Sequence, residues 1–129
     1  MRRLCLLLLV AAATALTAAP LQAAAPAIVV KTPLAGQAVR SGGQGFLIAG
    51  TADVFEANVS FELLNAQGRR IARGYTTATC GTGCSGRFAA RLRFHVLERQ
   101  RGTLVVHDDD AAGAGHPPHS VRLRLVLLP

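Results

Sequence analysis

The chain has 129 residues, of which 50% are hydrophobic, 5% aromatic and 16% charged. That length suits a single domain, and the composition, with no glycine triplet or heptad repeat, excludes a disordered, collagen-like or coiled-coil chain. Lys+Arg outnumber Asp+Glu by 14 to 7, a formal charge of +7 that taken alone points to a nucleic-acid partner.

The N-terminal residues change that reading. Arg2 and Arg3 precede the apolar run Leu4–Leu9 and an alanine-rich stretch that Pro20 ends. A positive start, a short apolar run and small residues after it are the layout of a secretory signal peptide. The run is shorter than the ~20 residues that a membrane helix needs. Leu21-Gln22-Ala23 supplies the expected cleavage site, so residues 1–23 are read as the signal, with Ala25 as the other possible cut and a retained anchor as the competing reading. Cleavage after Ala23 leaves residues 24–129. Arg2 and Arg3 go with the signal, leaving 12 basic against 7 acidic residues, a charge of +5. Cys5 is also lost, and Cys80 and Cys84 remain. The expected location is periplasmic or extracellular, with membrane contact only through the transient signal.

In the mature chain Ile28-Val29-Val30 begins a strand that Thr32-Pro33 stops, because proline lacks the ladder N–H. Leu34–Gly45 reads as a loop with a short strand at Ala38–Val39. Phe46–Gly50 is apolar and bounded by glycines, as a buried strand is. In Asn58–Leu64, Val59, Phe61 and Leu63 alternate with Ser60 and Glu62, which predicts a half-buried strand. Asn65–Gly68 is a turn into a second strand, Arg70–Thr79, which contains Tyr75. After the Cys80–Gly86 turn, Phe88, Ala90, Leu92, Phe94 and Val96 alternate with a mostly basic set, which predicts one long strand. Thr103–Val106 is a short strand, and residues 108–118 form an Asp/Ala/Gly/Pro loop. Val121, Leu123, Leu125 and Leu127 close the chain in alternation with Arg122 and Arg124.

About seven short strands, turn signals between them and no helix longer than one turn (at Asp53–Ala57) predict an all-β, immunoglobulin-like antiparallel β-sandwich. It occupies residues 27–129. The chain has no tryptophan, and Cys80 and Cys84 are too close in sequence to be the inter-sheet disulfide of antibody domains.

The order of features also carries a family likeness. Strand Ile28–Val30 with the turn Thr32-Pro33-Leu34-Ala35-Gly36 is followed by Phe46–Ala52 and Val54-Phe55-Glu56-Ala57-Asn58-Val59, and the stretch from Gly50-Thr51-Ala52 to Val54–Val59 is the most specific part. Gln67-Gly68, Gly86-Arg87-Phe88 and an Asp-rich loop before the last apolar strand complete it. This pattern resembles the immunoglobulin-like domain of bacterial spore germination proteins over residues 27–128. The resemblance implies an exported, envelope-associated sandwich with a binding or structural role, and it supplies no catalytic residues to transfer. The cysteine pair departs from the common pattern.

Three constellations bear on function. Cys80 and Cys84 bracket a glycine turn, and in an exported chain the pair reads as a disulfide. Free or metal-binding thiols and a redox pair are the other readings, but a redox dithiol ordinarily spaces its cysteines by two at a helix N-terminus. His107, His116 and His119, with Asp108–Asp110 between them, bring imidazole and carboxylate into one segment, the ordinary ligands of zinc or copper. The competing reading is a solvated turn. Arg91/Arg93 and Arg122/Arg124 occupy alternate strand positions, so each pair projects from one face. If their strands share a sheet they form an anion-binding surface, suited to phosphates or carboxylates; otherwise they protect strand surfaces by charge.

Phe55 is read as a core anchor beside Glu56. Tyr75 is the only exposed-aromatic candidate, too little for single-strand nucleic-acid binding. No nucleophile elbow, zinc-protease motif or phosphate loop occurs. The sequence therefore predicts a non-enzymatic module with no cofactor. Its partner is an unidentified envelope component or protein, an anionic polymer among them, and no nucleic acid.

Overall fold

The computed structural model describes residues 19–108 and 118–129. Most of the expected signal peptide lies outside those residues. Among them no helix is long and apolar enough to cross a membrane.

Eight strands and one 3-10 turn make up the described domain. Strands β1 (Ile28–Thr32), β3 (Phe46–Ala52) and β6 (Gly86–Leu92) form a three-stranded antiparallel sheet in the order β1-β3-β6. Strands β2 (Ala38–Arg40), β4 (Asn58–Leu64), β5 (Arg70–Thr77), β7 (Gln100–Asp108) and β8 (Ser120–Leu128) form the second sheet, in the order β2-β8-β7-β4-β5. The immunoglobulin-like sandwich expected from the sequence is therefore present, with one departure from an all-antiparallel arrangement: β2 runs parallel to β8. The loop before β2 is already fixed to β8 by Gly36 N–H to the Arg124 carbonyl and Val126 N–H to the Gln37 carbonyl. The three-residue β2 thus covers what would otherwise be an open sheet edge.

The period-two pattern decides which side chains go inside. Val59, Phe61 and Leu63 of β4, Leu104 and Val106 of β7, and Leu125 and Leu127 of β8 are all buried. They face Ile28, Ile48, Ala52, Phe88 and Leu92 of the smaller sheet in one apolar cluster. Phe61 and Phe88 meet between the layers with ring centroids 6.0 Å apart. Each large apolar side chain removed from water contributes about 1.5–3 kcal/mol. Gly50 sits where β1 and β3 pair: a Cβ there would lie 1.9 Å from the Val29 carbonyl oxygen, so a side chain would push the two strands apart.

Two local expectations are corrected. The long strand expected over Phe88–Val96 ends at Leu92, although Phe94 and Val96 remain buried and Arg93 and His95 remain exposed. The reason is the neighbour: Leu92 pairs with Phe46, the first residue of β3, so no strand is left to extend the ladder. Phe94 still closes this end of the core, edge-on to Phe46 at 5.8 Å. The expected anchor Phe55 is 39% exposed, and Val54 and Ala57 are buried in its place. The turn Phe55–Ala57 is 3-10, with Glu56 and Ala57 at positive φ (52° and 58°), and this tight path turns Phe55 outward.

Candidate ligand-binding face

The outer face of the five-stranded sheet collects the polar half of each alternating pattern. Strand register sets it out in rows. Tyr75, Ser60, His107 and Ser120 lie side by side across β5, β4, β7 and β8. The next row is Arg73, Glu62, Val105 and Arg122, and the one beyond it is Arg70, Leu64, Thr103 and Arg124. Arg101, opposite Val126, continues the face toward the far end of the sheet.

Arg70 Nη1 donates to Glu62 Oε1 at 2.7 Å, with both side chains partly exposed. Among the described residues Arg73, Arg101, Arg122 and Arg124 form no ion pair. Among the described residues the face therefore carries guanidinium groups without ion pairs and one carboxylate, Glu62, that is already engaged. Two shallow depressions lie on it. One, of about 410 Å³, is lined by Ser60, Glu62, Arg70, Arg73, Tyr75 and His107. The other, of about 240 Å³, is lined by Asn65, Arg101, Thr103 and Arg124.

The arginine pairs singled out from the sequence do not meet. Arg91 is on β6 in the three-stranded sheet and Arg93 follows it, whereas Arg122 and Arg124 are on β8 in the other sheet. Arg91 reaches toward the start of the central strand of its own sheet, where Nη1 donates to the Gly45 carbonyl at 3.1 Å. The condition for a surface shared by these four residues, strands in one sheet, is not met: Arg122 and Arg124 share their sheet with Arg70, Arg73 and Arg101, with β7 and β4 between them and Arg70 and Arg73. Register between β4, β5, β7 and β8 decides this, and alternation within one strand does not reveal it.

The histidines diverge as well. His107 projects to the outer face, where its Nδ1 is 2.9 Å from the Asp108 backbone carbonyl. Asp108, one residue on, points inward and is 2% exposed. Its Oδ2 accepts from His119 Nδ1 at 3.1 Å, and its Oδ1 has no hydrogen-bond partner among the described residues. A carboxylate oxygen can only accept, so this pairing places the proton on His119 Nδ1. Among the described residues no group of three His, Cys, Asp or Glu side chains is arranged to hold a metal ion. His116, the third histidine of the expected metal set, lies outside the described residues, as do Asp109 and Asp110.

Cys80 and Cys84 are joined in a disulfide with Cα atoms 5.7 Å apart. The loop they close is docked on the 3-10 turn. Thr82 N–H reaches the Val54 carbonyl at 3.0 Å, Gly83 N–H reaches Asp53 Oδ1 at 2.7 Å, and Glu56 N–H reaches Thr82 Oγ1 at 3.3 Å. Gly81 is pressed against this turn so closely that a Cβ would lie 2.4 Å from the Val54 carbonyl oxygen.

Two short-stranded sheets packed face to face, with a covered edge and an alternating core, define an immunoglobulin-like domain. The chain belongs to the family described as the immunoglobulin-like domain of bacterial spore germination, whose model matches residues 27–114. Among solved structures it is similar to CopC from Methylosinus trichosporium OB3b, at 13% identity and a TM-score of 0.46, over 79% of this chain and 92% of that one. Comparison with curated proteins finds no match.

Proposed function

We propose that this chain is an exported, non-enzymatic immunoglobulin-like module that holds an anionic polymer of the bacterial cell envelope on the outer face of its five-stranded sheet. The observation that carries the reading is the charge on that face. Arg73, Arg101, Arg122 and Arg124 form no ion pair among the described residues, and the one carboxylate among their cross-strand neighbours, Glu62, is bonded to Arg70. A planar guanidinium held on a rigid strand suits bidentate contact with carboxylate or phosphate oxygens. Export is supported by the N-terminal sequence pattern and by the Cys80–Cys84 disulfide, a bond that persists in oxidising compartments. The sparse aromatic content of the face argues against a single-stranded nucleic acid, which is bound by stacking its bases.

The test has two parts. The full-length chain is expressed in a bacterial host with a C-terminal tag, and its location, N-terminus and thiol state are measured. Polygalacturonate, lipopolysaccharide and neutral dextran are then each immobilised and challenged with the purified protein over a range of salt concentrations. The expected results are an exported protein beginning at Ala24 or Pro26 with no free thiol, and retention on the anionic supports that falls as salt rises. A cytosolic protein with reduced cysteines, or equal retention on dextran, overturns the proposal.

A further inference from the structure

Tyr75 is the chain's only tyrosine, and it is 80% exposed on the outer face of β5. An aromatic ring so placed adds little to the core of this fold. Its cross-strand partner is Ser60, and the same groove is lined by Glu62, Arg70, Arg73 and His107. The groove volume of about 410 Å³ falls within the roughly 300–1,000 Å³ of small-molecule sites.

We infer that this groove is the subsite that recognises one acidic sugar residue, a pyranose bearing a single carboxylate such as a uronate, within the bound polymer. The inference rests on the anionic-polymer reading above and narrows it to a chemical class. The Tyr75 ring is a rigid, flat, amphipathic surface, which stacks on the C–H face of a pyranose at low entropic cost. Arg73, with no ion pair among the described residues, supplies the fork for the sugar carboxylate. Glu62 is engaged at Oε1 by Arg70, and its other oxygen accepts from a sugar hydroxyl. His107 Nδ1 is committed to the Asp108 carbonyl, which leaves Nε2 of that tautomer as an acceptor for a second hydroxyl.

The formal charges select the class. Among the described residues lining the groove, Arg70, Arg73 and Glu62 together leave one positive charge. One carboxylate per sugar residue balances it. A phosphomonoester brings a charge near −1.5 to −2 at neutral pH and meets Glu62 at close range. A neutral sugar leaves Arg73 without a partner.

Because the chain contains one tyrosine and no tryptophan, its intrinsic tyrosine fluorescence reports on this groove alone. Purified full-length protein is titrated with oligogalacturonate, with the uncharged oligogalactose of equal length, and with inorganic polyphosphate. Oligogalacturonate is expected to change the tyrosine emission saturably, and oligogalactose is expected to leave it unchanged. Polyphosphate is expected to bind in a salt-dependent way without that saturable change. Tyr75→Ala and Arg73→Gln each should weaken oligogalacturonate binding, measured by calorimetry, by about tenfold, while Tyr75→Phe retains most of it. Both side chains are exposed, and an unchanged thermal midpoint confirms that each variant folds. Oligogalacturonate binding that is undiminished in Tyr75→Ala overturns the subsite and leaves the anionic-polymer reading standing. Failure of every anionic probe to bind at low salt overturns both.

Discussion

Glu62 and Arg70 form the one carboxylate–guanidinium bond on the basic face among the described residues, Oε1 to Nη1 at 2.7 Å. They come from neighbouring antiparallel strands joined by the Asn65–Gly68 turn, in which Gly68 N–H returns to the Asn65 carbonyl at 3.0 Å and Asn65 Oδ1 accepts from Gln67 and Arg69. The turn sets a register in which Arg70 lies opposite Leu64 and Arg73 opposite Glu62, so the Arg70–Glu62 bond runs diagonally across the strand pair. A bond between partly exposed side chains contributes about 0–1 kcal/mol, so its larger consequence is electrostatic. Glu62 removes one positive charge from the face that is proposed to bind anions.

Glu62→Gln should therefore change stability by less than about 1 kcal/mol and strengthen retention on lipopolysaccharide. The midpoint in a urea titration checks the first part and salt elution from the immobilised polymer checks the second. Weaker retention in Glu62→Gln would show that the charge of the face does not govern binding of that polymer.

Asp108 and His119 make a second testable pair. The carboxylate is buried and its partner ring is half exposed, with Nδ1 3.1 Å from Oδ2. Removing the imidazole takes the donor from Oδ2, and an unsatisfied buried polar group costs about 1–3 kcal/mol. His119→Ala should lower stability by that amount. Adding Asp108→Asn to His119→Ala should recover part of the loss, since an amide is less costly to bury than a charge. Urea unfolding of both variants decides this, and a double variant less stable than His119→Ala alone removes the argument.

The loop closed by Cys80 and Cys84 shows how covalent and packing terms divide. A ring of five residues restricts the unfolded chain little, so the disulfide contributes about 2 kcal/mol in the chain-entropy picture. Cys80→Ser with Cys84→Ser should cost about that much. The hydrogen bonds from Thr82 and Gly83 to Val54 and Asp53 should then hold the loop in place. Gly81→Ala acts differently, because its methyl meets backbone atoms of Val54 and Ala57 that have no rotamer to change. It should cost about 1–3 kcal/mol with the disulfide intact, and hydrogen exchange should quicken at Thr82 and Gly83. If Gly81→Ala matches the wild-type midpoint, the loop is not docked on this turn.

What the sequence revealed about this fold follows the range of each interaction. Alternation within a strand is local, so the inward-facing sets Val59/Phe61/Leu63 and Leu125/Leu127 were legible, as was the role of Cys80 and Cys84 as a possible staple. Pairing between strands is not local. Nothing in the residues of β8 says that Arg122 lies across Val105 from Glu62, or that Arg91 belongs to the opposite sheet. The same limit concealed the end of β6. Phe94 and Val96 keep the alternating pattern and are buried, but a strand requires a partner, and β3 begins only at Phe46. Phe55 misled for another reason: the positive φ of Glu56 and Ala57 turns the chain sharply at residues whose type does not favour that conformation.

The separation of the arginine pairs yields the sharpest test of the binding face. Arg91 and Arg93 follow one another with the same spacing as Arg122 and Arg124, and all are exposed. Charge reversal at either pair changes net charge by the same amount, so a purely global electrostatic attraction predicts equal loss of binding. A localised face predicts otherwise. Arg122→Glu with Arg124→Glu places two carboxylates in the rows that also hold Arg73 and Arg70, whereas Arg91→Glu with Arg93→Glu alters β6 of the other sheet and the residue just past it. The first double variant should lose retention on lipopolysaccharide by about tenfold or more at low salt, equivalent to about 1.4 kcal/mol or more. The second should lose less than about threefold, which reflects only the weaker long-range attraction screened by salt. Equal losses in the two variants, at matched folding by circular dichroism, would assign the attraction to net charge and remove the five-stranded sheet as the binding face.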